Sequence, residues 1–569
     1  MSRLVKKSPA LCTDLPLESS DILNKLHVMG QLLRSCFGPS GRLKQIHNNI
    51  GGQVVTTSTS SVLLPAIYSS TAFLNLILAS IRSHISRFSD CGLFAAILCV
   101  TLIEQVKQSG LRGNEAIRIY RHLLGLCTNY LHQEECGCKV KLDFCSSQNL
   151  ITLAGSILRS KPGSLLTEYE ALHISKLAVQ AFLLTVPSNN TGVVTLGMTV
   201  IVSIEGLPVM ESAVFPGLLV DIPDGFEDSE VRNNSSNPLR VLLFSTSLAG
   251  DLSEIGDGPI EVHYGGDMDS QILDHLLQIG KQALRDDVKL CVCQKVIHPV
   301  LQQYLRSHGI IVVERVGINL MQPLAQLTGA EPVATLHCTI PLRAYGKVGN
   351  VNSRHFGCKT MLHLYPAEEC VICTAVLCHR NETMLNELKV AYQKTEHVLR
   401  LTLREPFALL GGGCTETHLA AYIRYQSDAT GSTSVLGCSQ TEYLLGVEAF
   451  CNSLESVAAA LQHDSGDSLI DLTFAHHWTL PKDVIQEDME ASVSRCGCGL
   501  MESRRKKWCH LKTKYPVFSP ASLSKDITVH ACVLDSFTAK LNALQVAIET
   551  VNVILDIRYI ITQNVQSGL

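Results

Sequence analysis

Apolar residues recur every three or four positions in both end regions of the chain, which is the spacing of one face of an α-helix. In the N-terminal region this spacing predicts helices over residues 21–36, 93–106 and 115–131. In the C-terminal region it predicts helices over residues 382–402, 415–425, 441–461 and 534–561. We therefore expect both ends of the chain to be helical.

The middle of the chain has a different pattern, in which short apolar runs are separated by Gly, Pro and Asp. These runs predict buried strands at residues 218–221, 241–244, 290–293, 310–313 and 371–377. Helical patterns at residues 270–283 and 298–308 alternate with them. The prediction is an α+β multidomain protein in which an α/β unit is inserted into a helical body built from both chain ends.

Composition narrows the class of protein. A chain of 569 residues with 46% hydrophobic and 17% charged residues is expected to form two to four folded domains. A net charge of -5 gives no basic field for nucleic acid. Residues 48–81 carry no charge, but polar side chains interrupt them, so a buried helix is favoured over membrane insertion. The sequence has 22 cysteines and no signal-peptide pattern, so we expect the cysteines to be reduced thiols in the cytosol.

Two glycine-rich segments are candidates for phosphate binding. Gly411, Gly412 and Gly413 precede a helical pattern, which suits either a phosphate cradle at a helix N-terminus or a hinge. Residues 192–199 have phosphate-loop spacing, with Gly192, Gly197 and Thr199 as a weak candidate site. Met198 replaces the expected lysine and a strand pattern follows, so this second segment is the poorer candidate.

Cysteine and histidine spacing predicts no metal site. Cys370 and Cys373 have zinc-type spacing, but their run is typical of a core strand. Cys496 and Cys498 lack a second ligand pair at a zinc spacing, and His476 and His477 have no assignable partner. Residues 481–526 are interpreted as a polar surface insertion whose basic run at 504–507 is either a solvated loop or an anion-binding patch. No catalytic motif is evident.

Several segments in the same order along nearly the whole chain resemble group II chaperonins of the eukaryotic cytosolic and archaeal type. The segments are SCFGPSGRLK at 35–44, FPGLLVD at 215–221, CQK at 293–295, GGGCTE at 411–416 and ILDI at 554–557. The resemblance implies a helical equatorial domain from residues 1–146 and 405–569, the latter with the insertion 481–526. It also implies a small α/β intermediate domain from 147–203 and 365–404, and an inserted α/β apical substrate-binding domain at 204–364.

The resemblance also implies a nucleotide site. The residues that match its motifs are Gly38, Pro39, Gly41, Asp90, Gly92, Gly411, Gly412 and Gly413. Three carboxylates of the family are replaced by Thr59, Cys91 and Lys394, unless Asp90 takes over by a one-residue shift. Because phosphoryl transfer depends on positioned charge, we expect a pseudo-ATPase without catalytic residues. ATP binding is left open, and the sequence requires no metal.

The runs FSDCGLF at 88–94 and LLGGGCTETHLAAYIR at 409–424 are shared with a divergent vertebrate branch of the family. This implies a chaperonin-like assembly factor for the BBSome, a ciliary trafficking coat. Its implied partners are sister chaperonin-like proteins, cytosolic chaperonin subunits and client BBSome subunits. The implied locations are the cytoplasm, the centrosome and pericentriolar region and the cilium base, with the nucleus left open. The alternatives are a slow but genuine ATP-dependent chaperonin and a static centrosomal scaffold.

Overall fold

Two compact units are distinguished within the chain. The computed structural model describes residues 11–47, 54–69, 71–187, 196–222, 238–250, 268–335, 340–368, 371–430, 436–464, 466–482, 495–502, 507–522 and 530–562. Unit 1 comprises residues 1–179 and 386–569, and unit 2 comprises residues 180–385. Both chain ends thus belong to one unit, while the finer division into equatorial, intermediate and apical parts stays a prediction.

Helices and strands are both distributed along the whole described chain, as the α+β fold class requires. The helices are α1 (Ser20–Arg34), α2 (Ser60–Ala66), α3 (Ala72–Phe88), α4 (Gly92–Ser109), α5 (Gly113–His132), α6 (Ser147–Arg159), α7 (Glu168–Leu184), α8 (Met268–Arg285), α9 (Pro299–Ser307), α10 (Ile318–Thr328), α11 (Glu382–Leu401), α12 (Cys414–Thr430), α13 (Gln440–Ala459) and α14 (Phe537–Asp556). The strands are β1 (Leu11–Asp14), β2 (Lys44–Ile46), β3 (Val55–Thr57), β4 (Lys139–Lys141), β5 (Met198–Glu205), β6 (Ala213–Pro216), β7 (Leu218–Asp221), β8 (Leu239–Phe244), β9 (Val288–Cys293), β10 (Ile311–Val313), β11 (Tyr345–Val348), β12 (Asn350–Phe356), β13 (Lys359–Tyr365), β14 (Ile372–His379), β15 (Phe407–Leu410), β16 (Asp467–Asp471), β17 (His477–Leu480), β18 (Trp508–His510), β19 (Leu534–Ser536) and β20 (Tyr559–Thr562).

Helix α4 lies at the centre of unit 1. It is apolar on nearly all sides, and Ile97 and Leu98 are fully buried. Such a helix is stable only when other elements surround it, and α1, α3, α13 and α14 pack against it. Tyr120 of α5 and Phe450 of α13 extend this core with an edge-to-face ring contact at 5.6 Å between centroids.

The two ends of the described chain pair with each other. Strand β1 is antiparallel to β20, with Cys12 opposite Ile561. The sequence predicted one helix over residues 534–561, which is wrong at both ends of that span. The Ser536 side chain accepts a hydrogen bond from the Ala539 amide and caps α14, so the preceding residues are free to form β19. The helix ends at Asp556, and the chain beyond it is extended.

Unit 2 contains three sheets of described strands. The largest has the order β10-β9-β8-β11, with β8, β9 and β10 parallel and β11 antiparallel. The other two have the orders β12-β13-β7 and β5-β14-β6. Helices α8 and α9 accompany the largest sheet between its parallel strands, as parallel pairing requires a crossover connection.

The predicted central strands and helices agree with this unit. The fully apolar runs form β7, β8, β9, β10 and β14, and their side chains are buried in three adjoining clusters. The hairpin of β12 and β13 was not predicted, because its residues alternate only weakly between buried and exposed. Within the described parts of the chain, none of the helices has the length and apolarity needed to cross a membrane.

The buried His363 of β13 makes unit 2 sensitive to acid. Its Nε2 lies 2.8 Å from the Pro216 carbonyl oxygen, and desolvation lowers its pKa despite that bond, with the charge of Arg354 also lowering it. The unfolded chain therefore binds a proton first as the pH falls through about 6.5, and the free energy of unfolding decreases.

We expect the urea midpoint of the wild type to fall more between pH 7.5 and 5.5 than that of His363→Gln, measured on both chains by equilibrium unfolding. The glutamine amide can donate to Pro216 but cannot titrate in this range. Equal falls for the two chains would contradict this assignment.

Candidate functional site

A cavity of about 400 Å³ lies in unit 1, and most of the site residues predicted from the sequence line it. Its size is within the range of small-molecule sites. Of the predicted site residues, those that line it are Gly38, Pro39, Thr59, Asp90, Cys91, Gly92, Gly412 and Gly413.

The remaining predicted residues do not line this cavity. The Gly41 amide donates to the Gly38 carbonyl at 3.1 Å, and the Gly411 amide donates to Val533 at 2.9 Å, so both act in the turns beside it. Of the weak phosphate-loop candidate, Gly192 lies outside the described residues. Gly197 and Thr199 belong to unit 2, where a Cβ on Gly197 would come within 1.7 Å of the Val371 carbonyl oxygen. Gly197 therefore serves close packing beside β14.

Two helices begin at the cavity and direct backbone amides into it. The first α-helical bond of α4 runs from Ala95 to Cys91, so the amides of Gly92, Leu93 and Phe94 have no partner within the helix. Helix α12 starts directly after Gly412 and Gly413, which both have positive φ angles. Free amides and the positive end of a helix dipole favour an anion at this position.

Four charged residues of the cavity were missed as site residues. Lys161 Nζ lies 3.1 Å from Asp90 Oδ1. Lys540 Nζ lies 2.6 Å from Glu416 Oε1 and 2.5 Å from Asp535 Oδ2. Glu416 lies in the matched segment 411–416 but was not assigned a role, and Lys161, Asp535 and Lys540 were not singled out.

Lys540 and Glu416 are almost excluded from solvent, whereas Asp535 is partly exposed. The Lys540 side chain is 8% exposed, and that of Glu416 is 3% exposed. Burial by itself would lower the pKa of Lys540, but the carboxylates of Asp535 and Glu416 raise it above its ordinary value. Burial raises the pKa of Asp535, and the charge of Lys540 opposes this. The three groups thus depend on one another for their charge.

None of the three residues that replace family carboxylates, Thr59, Cys91 and Lys394, places a negative charge at the cavity. The Thr59 hydroxyl donates a hydrogen bond to Glu387 Oε2 at 3.2 Å, and Glu387 is not one of the residues that line the cavity. Desolvation and the charge of Asp90 raise the pKa of Cys91 well above its usual range, which keeps the thiol neutral. Desolvation and the charge of Lys161 lower the pKa of Lys394, and Asp90 partly opposes this. Lys394 therefore places a lysine amine near Asp90, where the family motif has a carboxylate.

The residues that line the cavity suit an anion bound by the protein alone better than an anion bound together with Mg²⁺. Ser58 Oγ, Glu416 Oε2 and His477 Nε2 are buried, belong to residues that line the cavity, and have no hydrogen-bond partner among the described residues. Such atoms are expected to meet a ligand or ordered water. Asp90, Glu416 and Asp535 each contact a lysine through one carboxylate oxygen, so among the described lining residues each carboxylate already has a counter-charge, although Glu416 Oε2 has no partner of its own.

Outside the cavity, the structure changes the interpretation of the cysteines. Cys373 is fully buried in β14 as predicted, while Cys370 and basic residues 504–506 lie outside the described residues. The interpretation of residues 481–526 as a surface insertion is wrong for Cys496 and Cys498, which are buried. Both lie beside Cys414 and His476, a grouping that was not predicted because Cys414, His476 and the Cys496–Cys498 pair are far apart along the chain.

Removing the Lys540 amine should destabilise unit 1 strongly. Lys540→Met leaves the buried Glu416 carboxylate and the partly exposed Asp535 carboxylate without a counter-charge, and stranding a buried charge typically costs about 3–5 kcal/mol. We expect a large decrease of the urea midpoint at pH 7.5 and a partial recovery at pH 5.5, where the stranded acids bind protons.

The matched control is Lys25→Met, which removes an exposed lysine 2.6 Å from Asp21. Exposed pairs contribute about 0–1 kcal/mol, so the control should change the midpoint little at either pH. Similar losses for both variants would contradict the network described above.

Comparisons with known proteins agree with this arrangement. Molecular chaperone MKKS of Homo sapiens is 45% identical over 569 residues, and that of Mus musculus is 43% identical over 568 residues, each match covering 99% of both chains. Thermosome subunit 1 of Haloferax volcanii is 24% identical over 467 residues, covering 79% of this chain and 77% of its own. The model of the TCP-1/cpn60 chaperonin family matches residues 29–564. The chain therefore belongs to the TCP-1/cpn60 chaperonin family.

Proposed function

We propose that this protein is a chaperonin-like assembly factor that binds nucleotide without efficient hydrolysis and assists assembly of the BBSome. The observation that carries the nucleotide part is the pairing of every described carboxylate in the cavity wall with a lysine. The assembly part rests on family membership and on similarity to proteins that are named molecular chaperones.

The cavity favours binding over turnover for an electrostatic reason. The amides at the start of α4 and the glycines before α12 would contact phosphate oxygens, and Lys161 would supply a charge-assisted bond. When bound, a magnesium ion would neutralise phosphate charge during transfer, but it requires oxygen ligands that here already pair with Lys161 and Lys540. Lys394 places an amine where the family motif has the carboxylate that orients the attacking water, so that carboxylate is missing here.

Nucleotide binding should be measured on the purified chain with ATP and ADP, with and without Mg²⁺. We expect binding that depends little on Mg²⁺ and phosphate release at least about a hundredfold slower than that of a hydrolysing family member. In Lys161→Met/Asp90→Asn, both members of the ion pair are removed, and ATP should bind about tenfold more weakly because one charged contact is lost.

The same experiment separates the rival functions. Lys394→Asp should not restore turnover alone, because Thr59 and Cys91 still replace the other acids. Mg²⁺-dependent phosphate release by the wild type that disappears in Asp90→Asn would instead establish a slow ATPase. Unchanged ATP binding in the double variant would place the nucleotide elsewhere.

Client binding is proposed for unit 2, which presents large apolar side chains to solvent. Leu342 is 92% exposed and Ile318, the first residue of α10, is 74% exposed. Such side chains can contact apolar surface on incompletely assembled subunits, whereas single exposed apolar residues elsewhere need no such role. The occupants we expect are BBSome subunits, with sister chaperonin-like chains and the cytosolic chaperonin as further partners.

Replacing both apolar residues in Ile318→Asp/Leu342→Asp should reduce the amount of BBSome subunits that co-purifies with the tagged chain, measured by quantitative mass spectrometry. The control is Val28→Asp, because Val28 is 63% exposed but lies in α1 of unit 1. Equal recovery of the subunits with all three chains would contradict the proposed surface. Stable centrosome retention with no client in any sample would favour a static scaffold.

A further inference from the structure

Four potential metal ligands meet in the interior of unit 1. They are Cys414, the first residue of α12, His476, just before β17, and Cys496 and Cys498. Their exposed fractions are 0%, 1%, 4% and 0%, and their ligand atoms all lie within 4.8 Å of one another. No other group of three or more such ligands is found among the described residues.

The distances suit a tetrahedral ion. Cys496 Sγ lies 3.4 Å from Cys498 Sγ, and Cys498 Sγ lies 3.7 Å from His476 Nδ1. Four ligands around zinc at about 2.3 Å from sulfur are separated by edges of roughly 3.8 Å. The side chains would therefore need only small adjustments to surround one ion.

The backbone around Cys496 and Cys498 forms a tight turn of the kind that presents two cysteine side chains to one metal ion. The Cys496 amide donates to the Met501 carbonyl at 3.0 Å, and the Gly499 amide donates to the Cys496 carbonyl at 2.8 Å. Gly499 has a φ of +81°, which closes the turn. The Met501 amide lies 3.2 Å from Cys496 Sγ and donates to it, an arrangement that stabilises a thiolate.

Without an ion, this cluster is an unfavourable interior. His476 Nε2 is buried and has no hydrogen-bond partner among the described residues, which typically costs about 1–3 kcal/mol. Its Nδ1 faces only sulfur, a weak hydrogen-bond partner. A metal bond to Nδ1 would replace this weak contact by a strong one.

We propose that Cys414, His476, Cys496 and Cys498 bind one structural zinc ion. Three sulfur ligands and one imidazole in tetrahedral array favour zinc over hard cations such as Mg²⁺ or Ca²⁺. All four positions come from the protein, so the ion has no open position for substrate and serves to hold chain segments together.

The segments that the ion would join form one wall of the cavity. Cys414 directly follows Gly412 and Gly413, and a Cβ on Gly412 would lie 2.2 Å from the Gly497 carbonyl oxygen. His477, the neighbour of His476, has its Nδ1 2.9 Å from the Gly412 carbonyl oxygen and donates to it. The zinc would thus hold residues 496–498 against the glycine segment, independently of whether nucleotide binds there.

The test is the metal content of the full-length chain, purified without a metal-affinity tag, by elemental mass spectrometry. We expect one zinc per chain in the wild type and loss of zinc, with at least about tenfold weaker retention against a chelator, in Cys498→Ser. The matched control is Cys138→Ser: Cys138 is a buried member of a second Cys-x-Cys pair, 3.5 Å from Cys136 Sγ, outside the cluster. This control should keep its zinc.

A substitution that keeps a ligand separates metal binding from general folding. His476→Cys replaces nitrogen by sulfur and should retain one zinc, whereas His476→Ala should not. Cobalt exchanged into the wild type should give the strong visible bands of a tetrahedral, sulfur-rich site. If Cys498→Ser does not fold, the wild type and His476→Cys decide the question. A wild type without zinc, an octahedral cobalt spectrum, or equal zinc loss in Cys138→Ser would overturn the proposal.

Discussion

The buried amine of Lys540 is the interaction on which unit 1 depends most. It projects from α14 and pairs with Glu416 in the first turn of α12 and with Asp535 of β19, and it lies 5.0 Å from the Phe94 ring of α4. One cation therefore joins α4 and α12 to the adjacent elements β19 and α14. Because the Glu416 carboxylate would otherwise be a buried uncompensated charge, the relative positions of these elements are tightly fixed. The cavity is shaped by that requirement.

The same pairing is consistent with the proposed loss of hydrolysis in a chain that keeps the family fold. The amides proposed to contact phosphate come from the starts of α4 and α12, and these are fixed by helix packing. Catalytic carboxylates are single side chains, so Thr59, Cys91 and Lys394 can replace them without disturbing any helix. The fold can therefore retain an anion-binding cavity while the charges in its wall become mutually neutral.

The fold class and the central strands could be predicted because apolar runs and helical spacing are local properties of sequence. The strands at both ends of α14 could not be predicted, since residues 534–536 and 559–562 are too short to show the alternation of a strand and are recognised only by their pairing. The glycines of the site were found through matching segments. Lys161 and Asp535 were not found. Lys161 pairs with Asp90, 71 residues away, and Asp535 pairs with Lys540, 5 residues away, and both contacts form only when the chain folds. The cluster of Cys414, His476, Cys496 and Cys498 was missed for the same reason.

Strand β1 pairs with β20, and unit 1 is built from segments that precede and follow unit 2. Unit 1 therefore cannot be completed until unit 2 has been synthesised. Unit 2 is continuous in sequence and can fold as soon as residue 385 has left the ribosome. Helix α14, which packs on α3, α4 and α5, is made after these helices and after unit 2, so the apolar faces that it covers are exposed until it has been made. Because transiently exposed apolar surface promotes aggregation, the N-terminal helices of unit 1 are the part of the chain most exposed to this hazard during synthesis.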